Sequence, residues 1–197
     1  MKQLVLATNN EHKIREIRSL LKNLPIELLT IRDIPNIPPL VEDGLTFQEN
    51  ALKKATTVFR RTGIPTLADD SGIEVFYLNM QPGVRSARYA GVNATDAQNN
   101  EKLLQAMRGV APRRRRAQFR SVIVLVDKNV QETTEGIFSG SLGEFPKGAN
   151  GFGYDPLFIP EGMTKTSAEL TDEEKNAISH RGQSLKKMIQ VLQKRFG

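Results

Sequence analysis

Thr66-Leu67-Ala68-Asp69-Asp70-Ser71-Gly72 is the stretch on which the fold turns. Residues suited to a buried strand run into two adjacent carboxylates, and a small hydroxyl and a glycine follow. Neighbouring side chains on an extended strand point to opposite faces. A strand continuing through both acids would send one of them into the core and deny them a common site. Ser-Gly is turn chemistry, so the strand is expected to stop here and swing at least one carboxylate into accessible space. Carboxylates at a strand tip suit a hard cation such as Mg²⁺ or a water to be deprotonated. On these residues alone, a polar turn capped by Asp and Ser is the simpler account.

The surrounding chain has the composition of a globular protein: 197 residues, 39% hydrophobic, with 15 glycines and 10 prolines. No apolar run reaches bilayer length. Met1-Lys2-Gln3 leads straight into a strand-like run, without the apolar segment of a signal peptide. Cysteine is absent, which excludes a disulfide framework and thiolate metal sites. The expectation is a cytoplasmic protein with no membrane-spanning part. A net charge of +6 favours an anionic partner, whether nucleic acid, a membrane surface or a phosphorylated small molecule.

Gln3–Thr8 reads as a buried strand, and Asn9-Asn10 as the cap of a helix carrying Ile14, Ile17, Leu20, Leu21 and Leu24, closed by Pro25. A strand passing directly into a helix leaves N–H groups and a positive dipole end as an anion site. Lys13 stands in that first turn, where a cation opposes the dipole. An anion between them accounts for it, and so does a solvated surface lysine. Ile26–Thr30 is a second strand, followed by a proline-rich loop, Arg32–Asp43, that carries Glu42. Thr46-Phe47-Gln48-Glu49 is a capping box. It opens a helix whose inner face is Phe47, Ala51, Leu52, Ala55, Val58 and Phe59. Glu49 is thereby occupied as cap and as partner of Lys53, whereas Glu42 has no structural task and is the better ligand candidate.

Beyond the two acids the pattern predicts a strand over Ile73–Leu78, a Pro-Gly loop over Gln81–Asn93 and a helix over Asp96–Met107. A hairpin of Ala117–Val126 with Val130–Leu142 follows. Lys147–Pro156 concentrates glycine, aromatic residues, an acid and a proline, a loop able to approach a ligand and present flat π surfaces. Thr171-Asp172-Glu173-Glu174 caps one C-terminal helix with a stripe of Ile178, Leu185, Met188, Ile189 and Leu192. On it Lys175 and Ser179 share a face from which His180 and Arg181 diverge. One site can use Lys175, His180 and Arg181 together only if the helix bends near Gly182 or meets the pocket end-on. The chain reads as one α/β unit with a mixed sheet.

Six blocks, in order and with matching spacing, resemble the inosine triphosphate pyrophosphatase family. They are Thr8-x-Asn10-x-x-Lys13, Glu42-x-Gly44-x-Thr46-Phe47-x-Glu49-Asn50-Ala51, Ala68-Asp69-Asp70-Ser71-Gly72, Pro82-Gly83-Val84-x-Ser86-Ala87-Arg88-Tyr89, Gly151-Phe152-Gly153-Tyr154-Asp155-Pro156, and Ala168-Glu169-Leu170-Thr171 through Lys175 to Ser179-His180-Arg181. The resemblance implies a single domain over residues 1–197, a mixed sheet flanked by helices with two lobes around a nucleotide-binding cleft, usually in a homodimer. It implies Mg²⁺-dependent hydrolysis, with one or more ions, of ITP, dITP, XTP and dXTP to the monophosphate and pyrophosphate, cleansing the nucleotide pool. Carried over by position, Thr8, Asn9, Asn10, Glu11, His12 and Lys13 would hold the phosphates. Asp70 would activate the attacking water, and Ser71 would contact the substrate. Glu42 and Asp70 would hold the metal, with Asp69 nearby. Phe152, Gly153, Tyr154 and Asp155 would clasp base and sugar, while Lys175, His180 and Arg181 would read the purine.

Physically, one carboxylate serves poorly as both tight ligand and strong base, so a metal-activated water with Asp70 taking its proton is the expected nucleophile. By its own position His12 reads as a surface residue, and His180 gains a role only through the resemblance. Arg85 and the run Arg113–Arg116 depart from the family pattern, neither at a catalytic position. A rival from another class is nucleic-acid binding through Arg113–Arg116 with Arg108 and Arg120. Such a run is usually a solvated face, and the aromatics of a stacking platform are missing apart from Phe119, so nucleic acid is the disfavoured partner. A pyrophosphatase of the same fold with another base preference is the second rival.

Overall fold

The computed structural model describes residues 2–196; Met1 and Gly197, the ends of the expected 1–197 domain, lie outside them. The strands are β1 (Lys2–Leu6), β2 (Ile26–Thr30), β3 (Thr66–Val75), β4 (Gln81–Pro82), β5 (Arg116–Asp127), β6 (Val130–Leu142) and β7 (Phe158–Pro160). The helices are α1 (Glu11–Leu21), α2 (Phe47–Thr62), α3 (Asp96–Ala106), α4 (Asp172–Ile178) and α5 (His180–Phe196). The sheet order is β2-β1-β3-β5-β6-β7, with β4 on β3. Parallel β1/β2 and β1/β3 pairs and antiparallel β3/β4 and β6/β7 pairs make the sheet mixed, in the expected α/β class. The chain divides into two compact units, Met1–Asp70 with Ser121–Gly136 and Arg181–Gly197, and Ser71–Arg120 with Ile137–His180.

In the first unit, parallel β1 and β2 pair from Lys2↔Ile26 to Leu6↔Thr30, and α1 connects them. Parallel neighbours need such a crossover. Asn10 caps α1 by accepting the His12 and Lys13 N–H groups (3.0 and 3.2 Å). The helix buries Ile14, Ile17 and Leu21 against Leu4, Leu6, Leu67 and the α5 residues Leu185, Met188 and Leu192. Each such side chain contributes about 1.5–3 kcal/mol on burial. Thr46 caps α2 by accepting the Glu49 N–H, and Gly63 closes it in the left-handed region at φ 68°. Two details of α2 differ from expectation. Glu49 accepts the N–H of Leu45, and Lys53 pairs with Asp43 (2.5 Å), in place of a full capping box and a Glu49–Lys53 pair. The buried face is Phe47, Asn50, Ala51, Lys54, Ala55 and Val58, so Leu52 and Phe59 lie at its margin.

In the second unit, Phe119, Phe138 and Phe158 pack at centroid separations of 4.8 and 5.1 Å. Leu103 of α3 and Met107, which caps its C-terminus, join the same core. The expected turn at Ser71-Gly72 and a separate strand over Ile73–Leu78 are not found. β3 runs on to Val75 and a 3₁₀ turn takes Phe76–Leu78. The reason is close packing: a Cβ on Gly72 would lie 2.3 Å from Ser86 Oγ, which accepts the Ile73 N–H at 2.9 Å. Gly72 is there for approach, and Ile73 and Val75 beyond it are fully buried.

The arginine run is not one solvated face either. Arg115 is buried and donates to the carbonyls of Met107, Leu142 and Gly143 at 2.9, 2.8 and 2.6 Å. Arg114 lies 4.6 Å over the Tyr77 ring and Arg116 5.3 Å over Phe76. Half of the run is therefore stacked on aromatic rings that lie far from it in the sequence.

Candidate active site

Because β3 continues through both acids, Asp69 and Asp70 face opposite ways. Asp69 is wholly buried in the first unit. It meets Lys13 Nζ at 2.6 Å, Arg181 Nη2 at 3.3 Å and Ser121 Oγ at 2.6 Å. Burial alone would raise its carboxyl, but Arg181 and Lys13, with hydrogen bonds from Lys13 and Ser121, hold it well below the usual range. Arg181 also pairs with Glu16, and Ser184 buttresses Ser121 at 2.9 Å. Lys13, expected to face an anion or solvent, has Asp69 as its partner in this structure.

Asp70 lies on the other face, 6% exposed. Its Oδ1 is 3.2 Å from Lys54 Nζ and its Oδ2 accepts from Asn50 Nδ2 at 3.1 Å. Burial pushes this carboxyl up, and Glu42 adds to that against the pull of Lys54 and Lys13. Lys54 Nζ also reaches Glu42 Oε1 at 2.6 Å and the Asp69 carbonyl at 2.9 Å. Its three protons are matched by three acceptors. Burial would lower the Lys54 ammonium, yet Asp70 and Glu42 outweigh it and hold it above its ordinary value. Lys54 and Asn50 were missed by the sequence reading. The available signal was polar residues at 50 and 54, three and seven after Phe47, on the buried stripe of α2.

The strand-to-helix junction is ordered by local hydrogen bonds. Asn10 takes the His12 and Lys13 N–H groups, Thr8 Oγ1 takes the Asn10 N–H at 3.1 Å, and Arg32 holds both Glu11 and the Asn9 carbonyl. His12 Nδ1 lies 2.7 Å from Arg15.

Among the described residues no group of three or more His, Asp or Glu is arranged to hold a metal ion. Glu42 and Asp70 nevertheless converge on one cation, the Lys54 ammonium. Two hard carboxylate oxygens at one point suit Mg²⁺, which takes few protein ligands and completes its shell with phosphate and water. The carboxylate of Asp69 is engaged by Lys13, Arg181 and Ser121.

The second unit holds the remaining candidates. Asp155 Oδ2 accepts the Phe152 N–H at 2.9 Å and Lys175 Nζ at 2.6 Å. The same ammonium sits 4.9 Å over the Phe152 ring. Gly151, at φ 72°, lets this carboxylate in: a Cβ there would lie 2.2 Å from Asp155 Oδ2. Tyr154 donates to the Ser86 carbonyl at 2.8 Å, and burial pushes its phenol up. Ser71 is the first residue of this unit. The His180 ring is buried and stacked on Phe119, 4.9 Å between centroids.

One expectation changes here. The C-terminal helix is two helices, with Ser179 extended between them at ψ 161°. The break comes at Ser179, not at Gly182. Lys175 and His180 belong to the second unit and Arg181 to the first.

A family model described as the Ham1 family matches residues 4–191. The chain is 48% identical to a dITP/XTP pyrophosphatase of Geobacter sulfurreducens over 94% of each chain. It is 47% identical to a dITP/XTP pyrophosphatase of Corynebacterium glutamicum over 96% of each. The solved structure of a HAM1 protein from Coxiella burnetii superposes with a TM-score of 0.91 at 42% identity, covering 98% of this chain and 100% of that one. With its fold and nearly its whole length matched in this way, the chain belongs to the Ham1 family.

Proposed function

We propose that the chain, as one pyrophosphatase domain, hydrolyses non-standard purine nucleoside triphosphates, dITP, ITP, XTP and dXTP, to the monophosphate and pyrophosphate, so cleansing the nucleotide pool. The full-length likeness to dITP/XTP pyrophosphatases supports the reaction. The observation that carries the chemistry is Asp70, a carboxylate with a raised affinity for protons, beside Glu42 and a buried ammonium. A water oxygen bonds to the α-phosphorus, the bond from that phosphorus to the α–β bridging oxygen breaks, and the water's proton passes to Asp70. Lys54 and Lys13 offset the charge of the triphosphate, present in ground and transition states alike. Glu42 and Asp70 hold Mg²⁺, which when bound supplies Lewis-acid stabilisation of phosphate oxygens.

In the second unit, Phe152 stacks on the base while Asp155 and Lys175 fix the loop that carries it. Lys175 and His180 offer donors to the acceptor oxygen at C6 of hypoxanthine and xanthine. Adenine presents an amino donor there, and a site built for the oxygen can reject it by on the order of 10⁴.

The protein acts in the cytoplasm. That assignment has the support of a cysteine-free sequence and of no helix, among the described residues, long and apolar enough to cross a membrane. It works as a homodimer, for which the exposed Phe76, Tyr77 and Met80 of the second unit offer apolar contact surface. The test is pyrophosphate release with Mg²⁺ across a panel of nucleoside triphosphates. ITP, dITP and XTP should be turned over with far higher kcat/KM than ATP. Equal efficiency on ATP and ITP would remove the donors from the purine edge, and no pyrophosphate from any of them would remove the activity.

A further inference from the structure

The Gly-rich loop has two neighbours that the reaction has not used. α3 begins at Asp96, and its first turn is already capped by Thr95 and Gln98 in a reciprocal box. The Asp96 carboxylate is therefore surplus to the helix. Its Oδ2 accepts the N–H of Gly153 at 2.7 Å. One helical turn later, Asn100 Nδ2 donates to the Gly153 carbonyl at 2.7 Å and to the Asp96 carbonyl at 2.8 Å. Both backbone polar groups of one loop residue are thus held by side chains on one face of one helix. The other end of α3 is anchored in the core through Leu103 and Met107, so the platform is rigid.

What this platform holds is conformationally free chain. Gly153 sits at φ 62° with nothing within 4 Å of where a Cβ would be, so packing does not fix it. Glycine populates many backbone states, and hydrogen bonds must select this one. Phe152 lies between Gly153 and Gly151, its own N–H fixed by Asp155. Asp155 fixes one side of the aromatic residue, and Asp96 with Asn100 fixes the other.

We infer that Asp96 and Asn100 are positioning residues for the base: they clamp Gly153 so that the Phe152 ring is presented in its stacking orientation before the nucleotide arrives. The inference rests on the proposed role of Phe152 as the base-stacking residue. Their removal should raise KM for ITP without slowing the chemistry, because the reacting phosphorus lies with other residues.

The experiment is steady-state kinetics on ITP together with competitive inhibition by inorganic tripolyphosphate, which has no base. Asp96→Ala and Asn100→Ala should each raise KM about ten-fold with kcat within about two-fold, and the tripolyphosphate Ki should not move. Asp96→Asn keeps an acceptor for the Gly153 N–H and should recover most of the KM. Asn100→Asp loses the donor, faces a carbonyl with a carboxylate, and should not recover it. That polarity-specific pair separates positioning from general loss of structure. Phe152→Ala is run beside them. If it raises KM while the Asp96 and Asn100 variants do not, the clamp is overturned and the stacking role stands. If Phe152→Ala leaves KM unchanged, the stacking role falls and takes the clamp with it. KM and Ki rising together would also overturn it, since the phosphate end would then be disturbed.

Discussion

Asp69 and Asp70 are the same residue type, adjacent in sequence, on the two faces of one strand, and their carboxyls are driven in opposite directions. Asp69 faces Lys13, Arg181 and a serine hydroxyl. Asp70 faces one ammonium that it shares with Glu42 and with a backbone carbonyl. Both are buried, so the desolvation cost is common to them. The difference lies in how many cations each can claim for itself. A carboxylate in direct contact with two cations stays ionised and becomes structure, whereas one whose direct contact, Lys54, is shared with a second acid keeps an appetite for a proton or a metal.

The sharpest way to break this comparison is to neutralise each acid in turn. Asp70→Asn should lower kcat on ITP by about 10³-fold or more, with nucleotide affinity within about an order of magnitude, by single-turnover and binding measurements. Hydrolysis near the starting rate would remove Asp70 from the role of base.

Asp69→Asn should instead act on stability, costing about 3–5 kcal/mol in urea unfolding because it takes a buried counter-charge from the half-buried Lys13 and leaves the buried Arg181 only Glu16. The pH dependence sharpens the contrast. The folded-state value of Asp69 is depressed, so its stabilisation is present above the unfolded value and lost as pH falls through the folded one. The folded-state value of Asp70 is raised, so its ionisation costs stability as pH rises from the unfolded value through the folded one. Acid titrations of stability in the two variants should therefore deviate from the parent in opposite senses. Deviation in the same sense would end the distinction.

The smallest expected effect belongs to the partner acid. Glu42→Gln removes one of the two carboxylates that meet at Lys54, and should raise the Mg²⁺ concentration for half-maximal activity about ten-fold or more. Direct Mg²⁺ binding in the presence of a non-hydrolysed nucleotide provides the same readout without turnover. An unchanged Mg²⁺ requirement would leave Glu42 as a partner of Lys54 only.

Periodicity and caps read from the sequence located most elements of the fold. The apolar spacing of Ile14, Ile17 and Leu21 marks α1, and the Thr171–Glu174 box marks the start of α4. Local pattern failed where a residue's reason lay far along the chain. Gly72 reads as turn chemistry next to Ser71, but it is small because Ser86 packs on it. Arg115 reads as one of a solvated run, but it is buried and donates to the carbonyls of Met107, Leu142 and Gly143. The apolar stripe of the C-terminal segment is continuous, and nothing at Ser179 in the sequence announces the extended ψ that divides it into two helices.

By itself the sequence determined the family, through six blocks in register, and with it the α/β class and the identity of the residues proposed to act. It also contained the correct conditional: a strand running through both acids must send them to opposite faces. Only the tertiary structure decided that both would be buried, and what met each of them there. Arg181 pairs with Asp69 across 112 residues and Lys54 with Asp70 across 16. Such pairings answer to desolvation, which is set by the packing around a charge. No local pattern records how many cations will stand beside a carboxylate once water has been excluded.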